Sequence, residues 1–272
     1  MSPGVPTAPG VRVGLVSPDS NVPQIEFESV TKSYGTGRLV LQSIDMKILK
    51  GEFVSLIGPS GCGKSTVLKL ISGLTPPSAG TIRVDGMTPE NARETVSFIF
   101  QDATLLPWRT VTENVGLGLE LERVLSKRRN AKVAELLQLV GLGDVAGAYP
   151  RELSGGMKMR ASIARALATN PRLLLMDEPF AALDEMTRDR MNEELLRLRA
   201  EQQWTAVFVT HSVAEAVFLS TRIIVLAPNP GRVHSVLPVD LPFPRTAQLR
   251  ETEEFESLVA HTSHVLREAL VQ

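Results

Sequence analysis

The stretch GPSGCGKST, residues 58–66, limits what this chain can fold into more than any other feature. It follows EFVSLIG (52–58), an apolar run of strand character, and precedes VLKLISGL (67–74), whose apolar residues recur at helical spacing. Strand, loop and helix in that order satisfy the phosphate-loop pattern G-x-x-x-x-G-K-[ST] through Gly58, Gly63, Lys64 and Ser65. Glycines let successive backbone N–H groups converge on an anion, and the helix N-terminus adds its dipole. Lys64 adds positive charge toward the outer phosphates, and the Ser65 hydroxyl is a magnesium ligand. The whole loop, Gly58, Pro59, Ser60, Gly61, Cys62, Gly63, Lys64, Ser65 and Thr66, is therefore expected to cradle phosphate. A thiol beside Lys64 and a helix N-terminus should also have a lowered pKa, so Cys62 is expected to be reactive and protected when the loop holds its phosphate ligand.

Two further apolar runs read as buried strands, RLLLM at 172–176 and TAVFVT at 205–210. Each neighbours a helical pattern, such as SIARALAT (162–169) or RMNEELLRLRAEQ (190–202), as in a parallel sheet covered by helices. IEFESV (25–30) and SIDMKI (43–48) alternate apolar and polar residues like half-buried strands. Residues 105–149 are mostly helical in pattern and read as an insertion. Beyond about residue 227 come a turn (PNPGR), a short strand-like run and an amphipathic helix from about 246 to 271, expected to dock on the chain's own core. Residues 1–23 read as a flexible tail without the features of a secretory signal.

Composition excludes more than it selects. Among 272 residues, 29 Lys plus Arg stand against 30 Asp plus Glu, a net charge of −1 that offers no footprint for nucleic acid. The one basic cluster, Lys127, Arg128 and Arg129, reads as a solvated helix face. Cys62 is the only cysteine, so an internal disulfide or a cysteine-based zinc site is ruled out. No segment has the ~18 consecutive apolar residues of a membrane span, so work at a membrane would need a partner.

RLLLMDEP (172–179) ends in two carboxylates, as if a buried strand delivered them to the sheet's ligand-binding edge. In a chain with a phosphate loop, Asp177 is expected to hold magnesium through water and Glu178 to act as general base. His211 follows the strand VFVT and should emerge at the same edge. A second anion cradle is encoded in LSGGMKMR (153–160), where small residues precede a helical run. One chain thus carries two helix N-termini suited to phosphate.

The order SYG (33–35), GPSGCGKST, FQD (100–102), LSGGM (153–157), LLLMDEP (173–179), AALD (181–184) and TH (210–211) resembles the nucleotide-binding subunit of ATP-binding cassette (ABC) transporters over roughly residues 25–235. The resemblance implies an α/β fold: a phosphate-loop NTPase (RecA-like) core with an antiparallel β subdomain and an inserted α-helical subdomain. The ATPase domain would span 24–235, its helical part about 105–165, with a C-terminal extension at 236–272. By the same resemblance, Tyr34 stacks on adenine, Gln101 contacts magnesium and senses the transporter subunit, Asp184 lies in the loop joining two active sites, and His211 contacts the γ-phosphate.

In this family two subunits pack head to tail, so Ser154, Gly155 and Gly156 of one close over ATP held by the other. The implied ligands are ATP and Mg²⁺. The implied partners are a second copy or a homologous ATPase subunit, integral membrane permeases and, indirectly, a solute-binding protein, at the cytoplasmic face of the cell membrane. Segments such as LLPWRTVTENVGLGLEL and DEPFAALDEMTRDRMNEEL are similar to importers of nitrate, sulfonates, taurine and related solutes, and Trp108 is placed at a membrane subunit's coupling helix. Met157 and Met159 replace the glutamines common in the signature, and Ser212 replaces an aspartate common after the histidine. Two other readings compete: a soluble ABC ATPase acting outside transport, and a cassette that binds ATP without hydrolysing it. Intact Lys64, Asp177, Glu178 and His211 disfavour the last.

Overall fold

The computed structural model describes residues 22–271 apart from Thr36, Ala182 and Gln203; all but the last two positions of the expected tail lie outside the described residues. Two sheets form the scaffold. The smaller is antiparallel, ordered β2-β1-β4, from β1 (Pro23–Tyr34), β2 (Arg38–Leu49) and β4 (Ala79–Val84). The larger is ordered β5-β6-β7-β3-β8-β9, from β3 (Phe53–Ile57), β5 (Val96–Ile99), β6 (Leu173–Asp177), β7 (Thr205–Val209), β8 (Arg222–Ala227) and β9 (Arg232–Pro238). All its pairings are parallel except β8 with β9.

The uninterrupted apolar runs form central strands because both faces of the large sheet are covered. Leu174, Met176, Ala206 and Phe208 point to one core, while Leu173, Leu175, Val207 and Val209 point to the other. The period-2 geometry of a strand distributes one apolar run between two layers. The second core lies against the small sheet and α1 (Lys64–Ile71), through Phe27, Ile44, Val67 and Leu68. The first is capped by Phe53, Phe180, Trp204 and Phe208, whose rings meet at tilted angles, and is covered by helices.

Between β5 and β6 the chain is helical, with α2 (Val111–Val115), α3 (Leu117–Leu121), α4 (Ser126–Leu139) and α5 (Gly155–Leu167). A Thr110–Glu113 capping box starts α2. Lys127 and Arg128 are exposed on α4, as a solvated face requires. After β6 come α6 (Glu185–Gln202) and α7 (Val213–Leu219). The final helix α8 (Glu253–Val271) starts later than the pattern suggested, because a short 3₁₀ turn at Ala247–Glu251 precedes it. It buries Phe255, Thr262, Val265 and Ala269 against the chain's own core, next to α7 and β8. Among the described residues no helix is long and apolar enough to cross a membrane.

Candidate active site

Parallel β5, β6, β7 and β3 all end at one edge of the sheet, and each releases a residue singled out by the sequence. Gln101 follows β5, Asp177 ends β6 with Glu178 directly after it, His211 follows β7, and the phosphate loop follows β3. This is the carboxyl edge at which ligands bind in open α/β sheets.

The loop turns into α1 at Gly63, whose φ of 100° no other residue type adopts cheaply. The α1 N-terminus has no side-chain cap, so its first N–H groups depend on a ligand or water. Lys64 is buried and folds back over the loop, donating to the carbonyls of Gly58 at 2.8 Å and Pro59 at 3.1 Å. Ser65 Oγ donates to Asp177 Oδ1 at 3.0 Å. Burial pushes the Asp177 carboxyl above the usual range, against the lowering effect of that hydrogen bond.

Glu178 has a left-handed φ of 49°, an uncommon backbone conformation for a side chain of this size. It is held there by its N–H donating to Val209 O at 3.0 Å, which aims its carboxylate toward β7's end. Its Oε1 lies 2.6 Å from His211 Nε2. Ser60, Gly61, Gly63, Lys64, Ser65, Thr66, Glu178 and His211 line one depression of about 350 Å³. Arg38 and Val40, at the start of β2, complete its wall; no sequence pattern signals either, because a strand from the other sheet brings them in. Tyr34 pairs with Arg38 at the same hairpin tip and is partly exposed, with Lys32 Nζ 4.8 Å from its ring centre.

The accessible thiol of lowered pKa expected at Cys62 is not what the structure has. The side chain is fully buried among Leu41, Val67 and Leu226, and burial pushes its thiol pKa up, which Lys64 offsets only in part. Adjacency to Lys64 along the chain does not say which way a side chain points. Behind the loop, Gly231 of the PNPGR turn lies so close that an added Cβ would be 2.0 Å from Cys62 O. Gly231 also donates to Val40 O at 2.8 Å and accepts from Gln42 N–H at 2.9 Å.

The second cradle is elsewhere. Ser154 caps α5, its Oγ accepting from Met157 N–H at 3.3 Å, and Gly155 is exposed with nothing within 4 Å of an added Cβ. Asp184 caps α6 by accepting from Thr187 N–H at 2.9 Å and Thr187 Oγ1 at 2.7 Å, bonds that hold its carboxyl below the usual range. Ser154, Gly155, Gly156, Asp184 and Thr187 line an open groove of about 690 Å³ that shares no lining residue with the phosphate-loop depression. Met157 and Met159 pack toward the core, and Ser212 caps α7 by accepting from Glu215 N–H at 3.3 Å. Trp108 is 70% exposed.

The oxygen donors at Ser65 and Asp177 suit magnesium, a hard cation. Among the described residues no group of three or more acidic, histidine or cysteine side chains could hold a metal by itself. A magnesium ion here would need phosphate oxygens to complete its shell, as is usual for nucleotide-bound magnesium.

Residues 41–181 match the ABC transporter family. The taurine import ATP-binding protein TauB of Rhizobium johnstonii is 46% identical over 239 residues, which are 87% of this chain and 90% of that protein. The bicarbonate transport ATP-binding protein CmpC of Synechococcus elongatus is 46% identical over 228 residues, covering 81% of this chain and 34% of that protein. Among solved structures, the ATP-binding cassette MJ0796, a dimer in a post-hydrolysis state bound to ADP and Pi, aligns with a TM-score of 0.72 and 34% identity over 80% of this chain and 100% of that one.

Proposed function

The chain belongs to the ABC transporter ATPase family, and from that membership we propose that it energises an importer of a small solute such as nitrate, a sulfonate or taurine, by closing head to tail on a second ATPase subunit around shared ATP. The observation that carries this reading is the separation of the two phosphate cradles within one chain. In this reading a nucleotide in the phosphate loop meets the LSGG cradle of another molecule. The taurine and bicarbonate relatives support a small anionic or zwitterionic solute. Exposed Trp108 then belongs to the face for the membrane permeases, at the cytoplasmic side of the membrane, with a solute-binding protein acting through them.

In this reading Lys64 neutralises phosphate charge, and the free N–H groups of α1 meet the oxygens. Ser65 and Asp177, with Gln101 from the same sheet edge, would hold Mg²⁺, which would supply positive charge against the phosphate oxygens. Tyr34 packs on adenine. Glu178 takes a proton from the attacking water, oriented by its bond to His211, which also meets the γ-phosphate. Ser154, Gly155 and Gly156 close from the partner subunit, with Asp184 at the junction.

Light scattering on two variants tests the shared nucleotide. Glu178→Gln removes the proton acceptor, so hydrolysis should fall by about 10²–10⁴-fold while ATP stays bound. That variant should double its mass with ATP and magnesium but not with ADP. Adding Ser154→Arg should abolish the dimer and leave one ATP bound per chain. A double variant that dimerises as well as the single one would sink the reading.

A further inference from the structure

The loop carrying His211 and the loop carrying Asp184 are joined by an ion pair between buried Glu215 and half-buried Arg188, neither of which has a part in the proposed mechanism. Glu215, on α7, is only 6% exposed although it carries a carboxylate. Its Oε2 accepts a short hydrogen bond from Thr210 Oγ1, and the same Thr210 oxygen accepts from Ser212 N–H at 3.0 Å. These two bonds fix the backbone on both sides of His211. The other carboxylate oxygen, Oε1, lies 3.7 Å from Arg188 Nε. Arg188, on the first turn of α6, donates through Nη2 to Leu183 O at 2.8 Å and through Nε to Phe180 O at 3.4 Å. It thus holds the segment between Glu178 and Asp184 by its backbone. A buried carboxylate is costly unless it is paired and hydrogen-bonded; here Oε2 has the Thr210 bond, and Oε1, without a hydrogen bond, has the Arg188 charge beside it.

We propose that Glu215 is a positioning residue that sets His211 against Glu178 and, through Arg188, couples the histidine loop to the Asp184 loop. The inference rests on the reading of His211 as a γ-phosphate contact. Without the Thr210 bond the segment 210–212 loses its tether, and the short His211–Glu178 contact loses its fixed geometry. Without the carboxylate's charge, Arg188 loses its counter-ion and with it part of its hold on Leu183.

The test is the single-turnover rate of ATP hydrolysis, measured beside ATP affinity for the full chain in two backgrounds. In the otherwise unchanged protein, Glu215→Leu, which removes both the acceptor of the Thr210 bond and the charge beside Arg188, should lower the rate by about tenfold, with ATP affinity within about twofold. In a His211→Ala background the same change should lower the residual rate less than twofold, because the residue it positions is gone. Thr210→Val, which deletes the hydroxyl at similar volume, should reproduce the loss, and Thr210→Ser, which keeps it, should restore the rate. The valine variant keeps the test decisive if Glu215→Leu fails to fold. An equal loss in both backgrounds, or none in the first, would overturn the positioning role. A His211→Ala protein as fast as the parent would instead sink the reading of the histidine itself.

Discussion

The two helix N-termini suited to phosphate are built in opposite ways. At α1 the loop is closed from behind, with Gly58 buried, Cys62 in the core, Lys64 folded over its own carbonyls and Gly63 in a left-handed turn. At α5 the helix is finished by its own serine, Ser154, and Gly155 faces open space. The first end leaves its N–H groups free and surrounds the place where an anion would sit. The second satisfies one N–H itself and presents a bare surface. Two helix ends finished so differently should respond differently to the same substitution.

Alanine at each glycine should bring out that difference. Gly63→Ala is the larger effect: its Cβ would be 2.4 Å from Leu41 Cδ2, at a φ of 100°. Strain of that kind costs roughly 1–3 kcal/mol. Both the melting temperature and ATP affinity of the isolated chain should drop, in scanning calorimetry and nucleotide titration. Unchanged ATP binding would mean that α1's end is as open as α5's.

Gly155→Ala should act in the other direction. Its Cβ meets nothing, and alanine in a helix reduces the freedom of the unfolded chain, so the isolated protein should gain about 0.4–1 kcal/mol. The same variant, placed in Glu178→Gln, should weaken ATP-driven dimers in light scattering, because the added methyl stands where a partner's nucleotide would approach. A loss of stability instead would show that the second cradle is packed from within.

The smallest effect concerns Cys62. With its thiol buried and its pKa pushed up, maleimide should leave folded protein unlabelled for hours with or without ATP, and label it fully in denaturant by mass spectrometry. Rapid labelling that ATP suppresses would mean that the phosphate loop opens as a unit.

Much of this arrangement could be read along the chain. β3, the loop and α1 were legible because glycine spacing and apolar periodicity agree there, and β6 and β7 because their runs are short and uninterrupted. β4 was not, since AGTIRV buries only Ile82 and Val84 and so lacks a strong alternation. Neither were α7 and β8: VAEAVFL and RIIVLA are apolar nearly throughout, and such runs do not distinguish helix from strand. At the site, residues delivered by strand ends were found, because each directly follows an apolar run that reads as a buried strand. Arg38, Val40 and the pairing of Arg188 with Glu215 were not, because each depends on how separate elements pack. Cys62 was misjudged for the same reason.

Gly231 pressing on the back of the phosphate loop also sets an order of events during synthesis. Central β3 is hydrogen-bonded to β7 and β8, and Phe53 N–H reaches Thr221 Oγ1 across 168 positions of sequence. The loop that binds ATP emerges early from the ribosome, yet the strands and the turn that brace it emerge well over a hundred residues later. At ~5–20 residues per second, roughly 10–30 s separate translation of the loop from translation of Gly231. A nascent chain should acquire nucleotide only at the end of that interval, so ATP would stabilise the finished domain and not its early fragments.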